Sequence, residues 1–360
     1  MKVLITGICG FVGSSLAKYF AESKEDVEVL GFDNFSRSGS YLNKPILESH
    51  GCKIFFADMR AVSDMDQLPA VDWIIDAAAN PSVRAGLDGK ASSRQLIEHN
   101  LLATANLLEY ARIHKSGLIM LSTSRVYSIK ALREIELEVN QDRFVLRDST
   151  TALAAISDKG LSDKGIAEGF STSPPISLYG ASKLCSEILA LEYAANFEFP
   201  VWINRCGVLA GAGQFGRADQ GIISFWINSR CRKQALKYTG FGGAGQQVRD
   251  CLHPRDLFNL ILLQMNAVAN EAPPVVNVSG GKINSVSLLE LNNWCDERFG
   301  VGLVASDKET HSLDAPWLVL DSSLAETHWH WRAEMPLAKI FEEIAEHAEK
   351  HPDWLKISNS

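Results

Sequence analysis

The chain has 360 residues, of which 46% are hydrophobic and 22% are charged, the composition of an ordinary globular protein. This length suffices for two domains, or for one large domain with a smaller lobe. The net charge of −8 argues against a nucleic-acid-binding surface, which needs a basic excess. No apolar run approaches the roughly 18 residues that a membrane-spanning helix requires, so no membrane partner is expected.

The seven cysteines are scattered along the chain, and no two of them have C-x-x-C spacing. This pattern is typical of individually packed thiols in a reducing compartment. The N-terminal stretch MKVLITG has the pattern of a strand rather than that of a secretory signal. We therefore expect a cytoplasmic protein without disulfides and without a metal site.

Apolar runs and helical patterns alternate through the first 200 residues. The runs that predict strands are Lys2–Thr6, Val27–Phe32, Lys53–Ala57, Val71–Ala79, Gly117–Ser122 and Val201–Cys206. The stretches with helical spacing are Phe11–Phe20, Ser92–Ile113 and Tyr179–Phe197. Strands that are apolar along their whole length and alternate with helices indicate a parallel sheet covered on both faces. The predicted fold class is therefore α/β, a Rossmann-type doubly wound parallel sheet with a smaller C-terminal lobe.

Beyond about residue 205 the pattern changes to glycine-rich pieces, short helices and one predicted strand, Val275–Val278. Ser287 and Glu290 have capping-box spacing, which predicts a helix start, and an amphipathic helix is predicted around Pro336–Ala348. Open α/β sheets bind ligands at the carboxyl ends of their strands, where we expect this lobe to pack. The segment Ser128–Pro175 predicts a lid-like insertion, with its repeat SDKGLSDKG in a solvated loop.

A glycine-rich turn follows the first predicted strand. The stretch TGICGFVGSSL places Gly7, Gly10 and Gly13 where a helix opens, so that the backbone can approach a pyrophosphate closely. The second strand ends in Asp33, whose carboxylate can bind both ribose hydroxyls of an adenosine and repel a 2′-phosphate. The sequence therefore favours NAD over NADP. Two alternatives stay open, namely a phosphorylated ribose held by Arg37 and a structural turn without cofactor.

Further positions are expected to line the same cofactor site. The predicted cofactor-binding residues of the first domain are Gly7, Gly10, Phe11, Val12, Gly13, Asp33, Asn34, Arg37, Asp58, Met59, Ala77, Ala78 and Ala79. We expect residues 1–200 to form the NAD-binding domain, with the insertion at residues 128–175. Residues 201–360 are expected to form mainly a substrate-binding lobe that is interleaved with the first domain.

Tyr179 and Lys183 lie four residues apart in a predicted helix, so that they share one face. A free tyrosine, with its pKa near 10, is a poor base at neutral pH, but a neighbouring ammonium favours the phenolate. The pair therefore suits proton transfer during hydride transfer, and it could also be a surface pair without function. A third member is expected to be a hydroxyl of MLSTSRVY, where Ser122, Thr123 and Ser124 are the candidates.

Taken in order, these motifs resemble the extended short-chain dehydrogenases/reductases of the nucleotide-sugar epimerase/dehydratase group. The resemblance rests on TGxxGFxGS at the start, YxxxK at 179–183 and GGxxxQxRDxxHxxD at 242–256. It implies a catalytic triad of Thr123, Tyr179 and Lys183, in which Tyr179 and Lys183 also contact NAD. It further implies a cofactor-side position for Asn100, which could equally be structural.

The resemblance also bears on the reaction. In the family's 4,6-dehydratases an Asp and a Glu follow the catalytic Thr, but this chain has Ser124 and Arg125 there, so water elimination has no acid–base pair. Epimerisation by oxidation to a ketone and re-reduction needs only NAD and the triad. The stretches at 211–221 and 242–257 are most similar to the CDP-tyvelose (CDP-paratose) 2-epimerases. The substrate-binding residues predicted on this basis are Ser124, Arg205, Gln214, Asp219, Gln220 and Arg249.

The sequence therefore predicts an NAD-dependent epimerase of a nucleotide diphosphate sugar, acting at C2 of a CDP-deoxysugar. A 4-epimerase of a UDP-sugar or another NDP-sugar, and an NAD(P)-dependent ketosugar reductase, remain alternatives. A non-catalytic dinucleotide-binding regulator is an alternative of a different class. The family resemblance also implies a homodimer or higher homo-oligomer, formed through the helices at Ser92–Ile113 and Tyr179–Phe197.

Overall fold

The computed structural model describes residues 1–23, 25–84, 86, 92–147, 160–267, 272–310 and 312–359. Its centre is a seven-stranded parallel sheet. In spatial order the strands are β12 (Val275–Val278), β8 (Val201–Cys206), β5 (Gly117–Thr123), β4 (Trp73–Asp76), β1 (Lys2–Thr6), β2 (Glu28–Asp33) and β3 (Lys53–Phe56). This order reverses beside β1, as in doubly wound sheets, and it confirms the predicted fold class.

Helices cover both faces of the sheet and build the C-terminal lobe. They are α1 (Phe11–Glu22), α2 (Asn43–Ser49), α3 (Val62–Met65), α4 (Ser93–Ile97), α5 (Ala103–His114), α6 (Ile129–Arg133), α7 (Ser177–Phe197), α8 (Ile222–Cys231), α9 (Pro254–Met265), α10 (Leu288–Phe299), α11 (Ser323–Trp329), α12 (Leu337–Lys350) and α13 (Trp354–Asn359). None of the helices in the described ranges is both long enough and apolar enough to cross a membrane.

The strands are apolar on both sides because each side meets a separate layer of helices. Val3 and Ile5 of β1 pack in one core cluster, with Phe20 of α1. Leu4 points to the opposite face and packs in a second cluster, with Leu107 of α5. This alternation follows from the two-residue period of a strand, and it explains why the strand sequences read as continuous apolar runs.

The carboxyl ends of the strands carry the C-terminal lobe. Its small strands are β9 (Val208–Leu209), β10 (Leu236–Thr239), β11 (Val248–Leu252), β13 (Ser285–Ser287), β14 (Val304–Asp307) and β15 (Trp317–Leu318). The expected capping box is present, since Ser287 and Glu290 hydrogen-bond reciprocally at the start of α10. Because β8 and β12 belong to the central sheet, the two halves of the chain are interleaved. The domain boundary near residue 200 remains a prediction.

The insertion begins with α6 and a hairpin of β6 (Leu137–Asn140) and β7 (Arg143–Leu146). Residues 148–159, with the first part of the SDKG repeat, lie outside the described residues. In the part of the repeat that is described, Asp163 and Lys164 are exposed as predicted, whereas Leu161 is buried with Ile166 and Phe170 in a cluster around Tyr127, so the solvated-loop prediction holds only in part. The main chain of Ile166 also hydrogen-bonds Val319 and Asp321, which ties the insertion to the lobe.

Candidate active site

The turn between β1 and α1 has the shape that a dinucleotide pyrophosphate requires. Gly7 has φ +59°, and a Cβ there would lie 3.0 Å from Cα of Ala78. A Cβ on Gly13 would overlap the carbonyl oxygen of Gly7, so the helix can contact the turn only because residue 13 is a glycine. Gly10 caps α1 without a side-chain hydrogen bond, which leaves the first N–H groups of the helix for an anion. Phe11 and Val12 begin the helix.

The carboxylate of Asp33 is buried at the end of β2, beside this turn. Its Oδ2 accepts a hydrogen bond from the N–H of Cys9 (3.1 Å) and its Oδ1 one from the N–H of Phe35 (2.7 Å). Burial raises the pKa of Asp33, while these two hydrogen bonds oppose the shift. Each oxygen keeps a further lone pair, which fits a ribose diol. Nη2 of Arg37 donates to the carbonyl oxygen of Phe215, so one of its donors is used within the protein.

The other predicted cofactor residues lie near the turn after β1 and the end of β2. Asp58 accepts hydrogen bonds from Asn34 (3.0 Å) and from Arg60 (2.6 Å), and the Arg60 guanidinium holds the pKa of that carboxyl well below its usual range. The carbonyl oxygen of Met59 accepts from Asn106 at 2.7 Å. Ala77, Ala78 and Ala79 follow β4, and the N–H of Ala78 donates to Oγ1 of Thr6 at 2.9 Å. The residues present therefore fit NAD.

Asn100 connects two elements of the site through its side-chain amide. It lies in a π-helical turn, Glu98–Leu102, that joins α4 and α5. Its Oδ1 accepts from the N–H of Asn80 (2.8 Å), and its Nδ2 donates to Asn80 O (3.2 Å) and to Oγ of Ser182 (3.1 Å). Such turns are frequent at functional sites. The side-chain amide therefore links the loop after β4 to helix α7, which is a supporting contact.

The predicted triad is brought together at the carboxyl end of β5. Thr123 is the last residue of β5, and its hydroxyl lies near the phenol of Tyr179, at the start of α7, where it lowers the pKa of that phenol. Helix α7 begins at Ser177, two residues earlier than predicted. Tyr179 is 8% exposed and Lys183 is 3% exposed, so both belong to the interior rather than to a helix surface. The surface-pair alternative is therefore wrong.

The electrostatics of the triad differ from the prediction. Burial raises the pKa of Tyr179 to about 12, and the hydrogen bond from Thr123 and the charge of Arg125 act in the opposite direction. The charge of Lys183 acts instead on Asp76 and Cys206, lowering the pKa of each against the effect of burial. Arg125 is therefore a cation whose charge favours the phenolate of Tyr179.

Asp76 is a buried acid that our sequence analysis missed. It ends β4 and is 1% exposed, and its Oδ1 accepts from Oγ1 of Thr6 at 2.8 Å. Its Oδ2 has no hydrogen-bond partner among the described residues. The signal in the sequence was a carboxylate at the end of an apolar strand, where ligands bind in such sheets.

Arg249 lies with Arg125 on the lobe side of the site. It donates to Oδ1 of Asp314 (2.6 Å) and to the carbonyl oxygen of Ala315 (2.9 Å). Ser124, predicted as a substrate contact, is buried in the turn between Thr123 and Arg125.

The three predicted substrate residues of the 211–221 stretch are held by protein contacts. Nε2 of Gln214 donates to Leu209 O at 2.8 Å, and the carboxylate of Asp219 accepts from Oγ of Ser82 at 2.7 Å. Gln220 pairs with Arg217 through the main chain. Their roles toward substrate stay predictions.

The prediction for Arg205 requires correction. Its guanidinium forms a salt bridge with Glu187 (2.7 Å) and hydrogen bonds with Tyr127 OH (3.4 Å) and Glu168 O (3.3 Å). A cation near the end of a buried strand needs a counter-charge, and the structure supplies it from helix α7. The donors of Arg205 are thus used inside the protein, and its role is structural.

Comparisons with known proteins agree with this geometry. Residues 3–279 match the model of the NAD dependent epimerase/dehydratase family. The chain belongs to this family. The predictions of the family, of an enzyme and of NAD as its cofactor are thereby confirmed.

The proteins that are similar to this chain include both epimerases and dehydratases of nucleotide sugars. The chain is 30% identical to a CDP-paratose 2-epimerase of Salmonella typhi, over 81% of this chain and 82% of the relative. It is 26% identical to a probable dTDP-glucose 4,6-dehydratase of Sinorhizobium fredii, over 93% and 89% of the two chains. A solved UDP-glucuronic acid 4-epimerase from Bacillus cereus, in complex with UDP-glucuronic acid and NAD, superposes with a TM-score of 0.77 at 22% identity, covering 97% of this chain and 99% of that one. The last likeness shows the fold.

Proposed function

We propose that this protein is an NAD-dependent epimerase of a nucleotide diphosphate sugar, and that it inverts C2 of a CDP-deoxysugar of the CDP-paratose/CDP-tyvelose type. The observation that carries the proposal is the turn after Thr123, which holds Ser124 and Arg125 and no carboxylic acid. Elimination of water needs an acid and a base in addition to the triad, whereas inversion at one carbon needs only Tyr179 to take and return one proton. The 30% identity to a relative named CDP-paratose 2-epimerase supports C2 and a CDP-sugar.

The chemistry that NAD supplies when bound is hydride transfer from the sugar carbon and back to it. Tyr179 takes the proton of the reacting hydroxyl during oxidation and returns it during reduction, so no proton is consumed over a cycle. Thr123, whose hydroxyl lies near that phenol, holds the reacting oxygen within reach of it. We assign Lys183, buried one helical turn further on, to the cofactor side of the same face.

The first experiment is mass spectrometry of the small molecules that denaturation releases from the purified protein, with no cofactor added. NAD in a one-to-one ratio is expected, because an epimerase regenerates its cofactor in place. An empty protein that consumes NAD(P)H with a ketosugar would identify a reductase and would refute the proposal.

The second experiment locates the reacting carbon. CDP-paratose deuterated at C2 or at C4 is incubated with the protein and followed by NMR. A primary isotope effect with the C2 label alone is expected, and an effect with the C4 label alone would identify a 4-epimerase. Tyr179→Phe should abolish turnover. The matched control is Tyr193→Phe. Tyr193 lies on the same helix, but its hydroxyl donates to the carboxylate of Glu109 (2.6 Å) and not to the triad, so this variant should retain turnover.

Assembly and location are part of the proposal. Helices α4, α5 and α7, and the π-helical turn that joins α4 to α5, expose large apolar side chains, which supports a homodimer or higher homo-oligomer formed through these helices. The exposed residues are Ile97, Leu102, Ile113 and Ile188. All seven cysteines are free, which supports a reducing, cytoplasmic location.

A further inference from the structure

Arg125 is fixed by its own main chain against the start of the catalytic helix. It lies in a 3₁₀ turn, Ser124–Val126, directly after β5, and its N–H donates to Oγ1 of Thr123 at 3.2 Å. A Cβ on Gly180 would overlap the carbonyl oxygen of Arg125, so the turn and the residue after Tyr179 are in direct contact. The main chain of Arg125 is therefore held between Thr123 and the first turn of the helix that carries Tyr179.

The side chain of Arg125 reaches from this turn toward Arg249. Its Nη1 donates a long hydrogen bond to Leu313 O (3.5 Å), and the next residue, Asp314, accepts from Arg249. The two guanidinium groups thus contact adjacent residues of one loop, and the carboxylate of that loop, Asp314, is hydrogen-bonded to Arg249. Within the part of the chain that is described, Arg125 makes no salt bridge. Burial and the charge of Arg249 lower the pKa of Arg125 to about 10, as expected for neighbouring cations without full compensation.

We propose that Arg125 is a substrate-binding residue which, together with Arg249, holds an anionic oxygen group of the substrate beside Tyr179. The group that we assign is the sugar-linked phosphate of the nucleotide diphosphate, and this assignment rests on the proposed function. Guanidinium groups bind phosphate oxygens through charge-assisted, often bidentate hydrogen bonds. An anion there supplies the counter-charge that Asp314 alone does not.

This placement bears on which carbon reacts. The sugar-linked phosphate is bonded through one oxygen to C1, so the C2 hydroxyl is its neighbour, whereas the C4 hydroxyl lies across the ring. Under the inference, a phosphate that contacts Arg125 lies on the Tyr179 side of the site, because the turn of Arg125 contacts the first turn of α7 and its charge acts on the Tyr179 phenol. The arrangement therefore favours proton transfer at the C2 hydroxyl. A carboxylate on the sugar is the other anion that could fill this site, and it would carry no such preference.

The test compares full-length wild-type protein with Arg125→Met, Arg125→Lys and Arg133→Met by calorimetric titration. The probes are CDP, UDP and dTDP with their monophosphates, and UDP-glucuronic acid against UDP-glucose. Arg125→Met is expected to weaken the preferred diphosphate by about 10- to 100-fold and the monophosphate by less than about 3-fold. Arg125→Lys should recover part of the loss. Arg133 is the matched control, since its Nε contacts Asp314 O (2.9 Å) and its loss disturbs the same loop.

Each outcome decides one point. Equal diphosphate affinity in wild type and Arg125→Met, with no selective loss for UDP-glucuronic acid, overturns the inference and leaves the proposed function standing. A loss confined to UDP-glucuronic acid supports an anion site for a sugar carboxylate and removes the argument for C2. A loss as large in Arg133→Met shows that the loop, not the Arg125 charge, is responsible, and overturns the inference. Wild-type protein that binds none of the diphosphates overturns the inference and the proposed function together.

A kinetic measurement separates substrate binding from structural support. Under the inference, Arg125→Met raises KM and also moves the acid limb of the kcat/KM profile to higher pH, because the charge that favours the Tyr179 phenolate is gone. Arg125→Lys should restore the position of that limb. A KM increase with an unchanged pH profile would overturn the placement of Arg125 beside Tyr179.

Discussion

Replacing Glu187 by glutamine leaves the Arg205 guanidinium inside the protein without its counter-charge. The two side chains are 3% and 10% exposed, and their closest atoms are 2.7 Å apart, so solvent screens the pair little. Removing one partner of a buried ion pair costs about 3–5 kcal/mol. The glutamine oxygen can still accept the hydrogen bond that Ser122 donates to Glu187, so we expect the lower end, about 3 kcal/mol.

The assay is urea unfolding followed by tryptophan fluorescence. With an m-value of about 3 kcal/mol/M, the expected loss lowers the urea midpoint by about 1 M. The matched control is Glu192→Gln, which removes an exposed carboxylate from the same helix and should change stability by less than about 0.5 kcal/mol. The double variant Glu187→Met/Arg205→Met should regain most of the loss, because it removes both charges together. A midpoint shift below about 0.3 M for Glu187→Gln would refute the assignment of Arg205 to this buried pair.

Three further predictions follow from single contacts. Gly180→Ala forces its Cβ against the carbonyl oxygen of Arg125, and we expect kcat/KM to fall by about 100-fold while circular dichroism stays unchanged; unchanged kcat/KM would contradict this contact. Burial and neighbouring cations lower the pKa of His347 to about 4, below its unfolded value near 6.5. The stability that neutral His347 contributes is therefore present above about pH 6.5 and is lost as the pH falls toward 4. His347→Gln should flatten the dependence of Tm on pH between these two values. Ile188→Glu places a charge on the exposed apolar face of α7, and light scattering should then report a smaller assembly than wild type, whereas the same mass would contradict assembly through this face.

Much of the sheet was predictable because each of its strands is a short run of consecutive apolar residues, a signal that lies within the strand itself. β1, β8 and β12 have the predicted bounds, and α1 begins at the predicted residue. The predicted strand Val71–Ala79 is shortened to Trp73–Asp76, since the chain leaves the sheet after Asp76 to form the wall beside Gly7. The hairpin of β6 and β7 was missed, because charged residues hide its alternation.

The site was predictable for residues whose spacing along the chain determines that they lie next to each other. Gly7 and Gly13, or Tyr179 and Lys183, act within one turn or one helix, so their spacing alone predicts that they meet. The partner of Arg205 was not predictable, because Glu187 lies on another element and its own neighbours in sequence are those of an ordinary helix. The same holds for Gln214, whose main chain is held by the indole of Trp354 (2.9 Å), 140 positions away. Contacts of this kind depend on the complete fold.

The charge at position 125 connects the fold to the type of reaction. A carboxylate beside the Tyr179 phenol would disfavour the phenolate, whereas a guanidinium favours it. Burial raises the pKa of this phenol to about 12 even with Arg125 present, so further positive charge, such as the nicotinamide ring of bound NAD, is needed for it to act as a base near neutral pH. The charge of Lys183 lowers the pKa of Asp76, and the charge of Arg125 lowers that of the Tyr179 phenol. An active site built this way favours reversible proton transfer at one hydroxyl over the elimination of water, which needs an acid where this chain has an arginine.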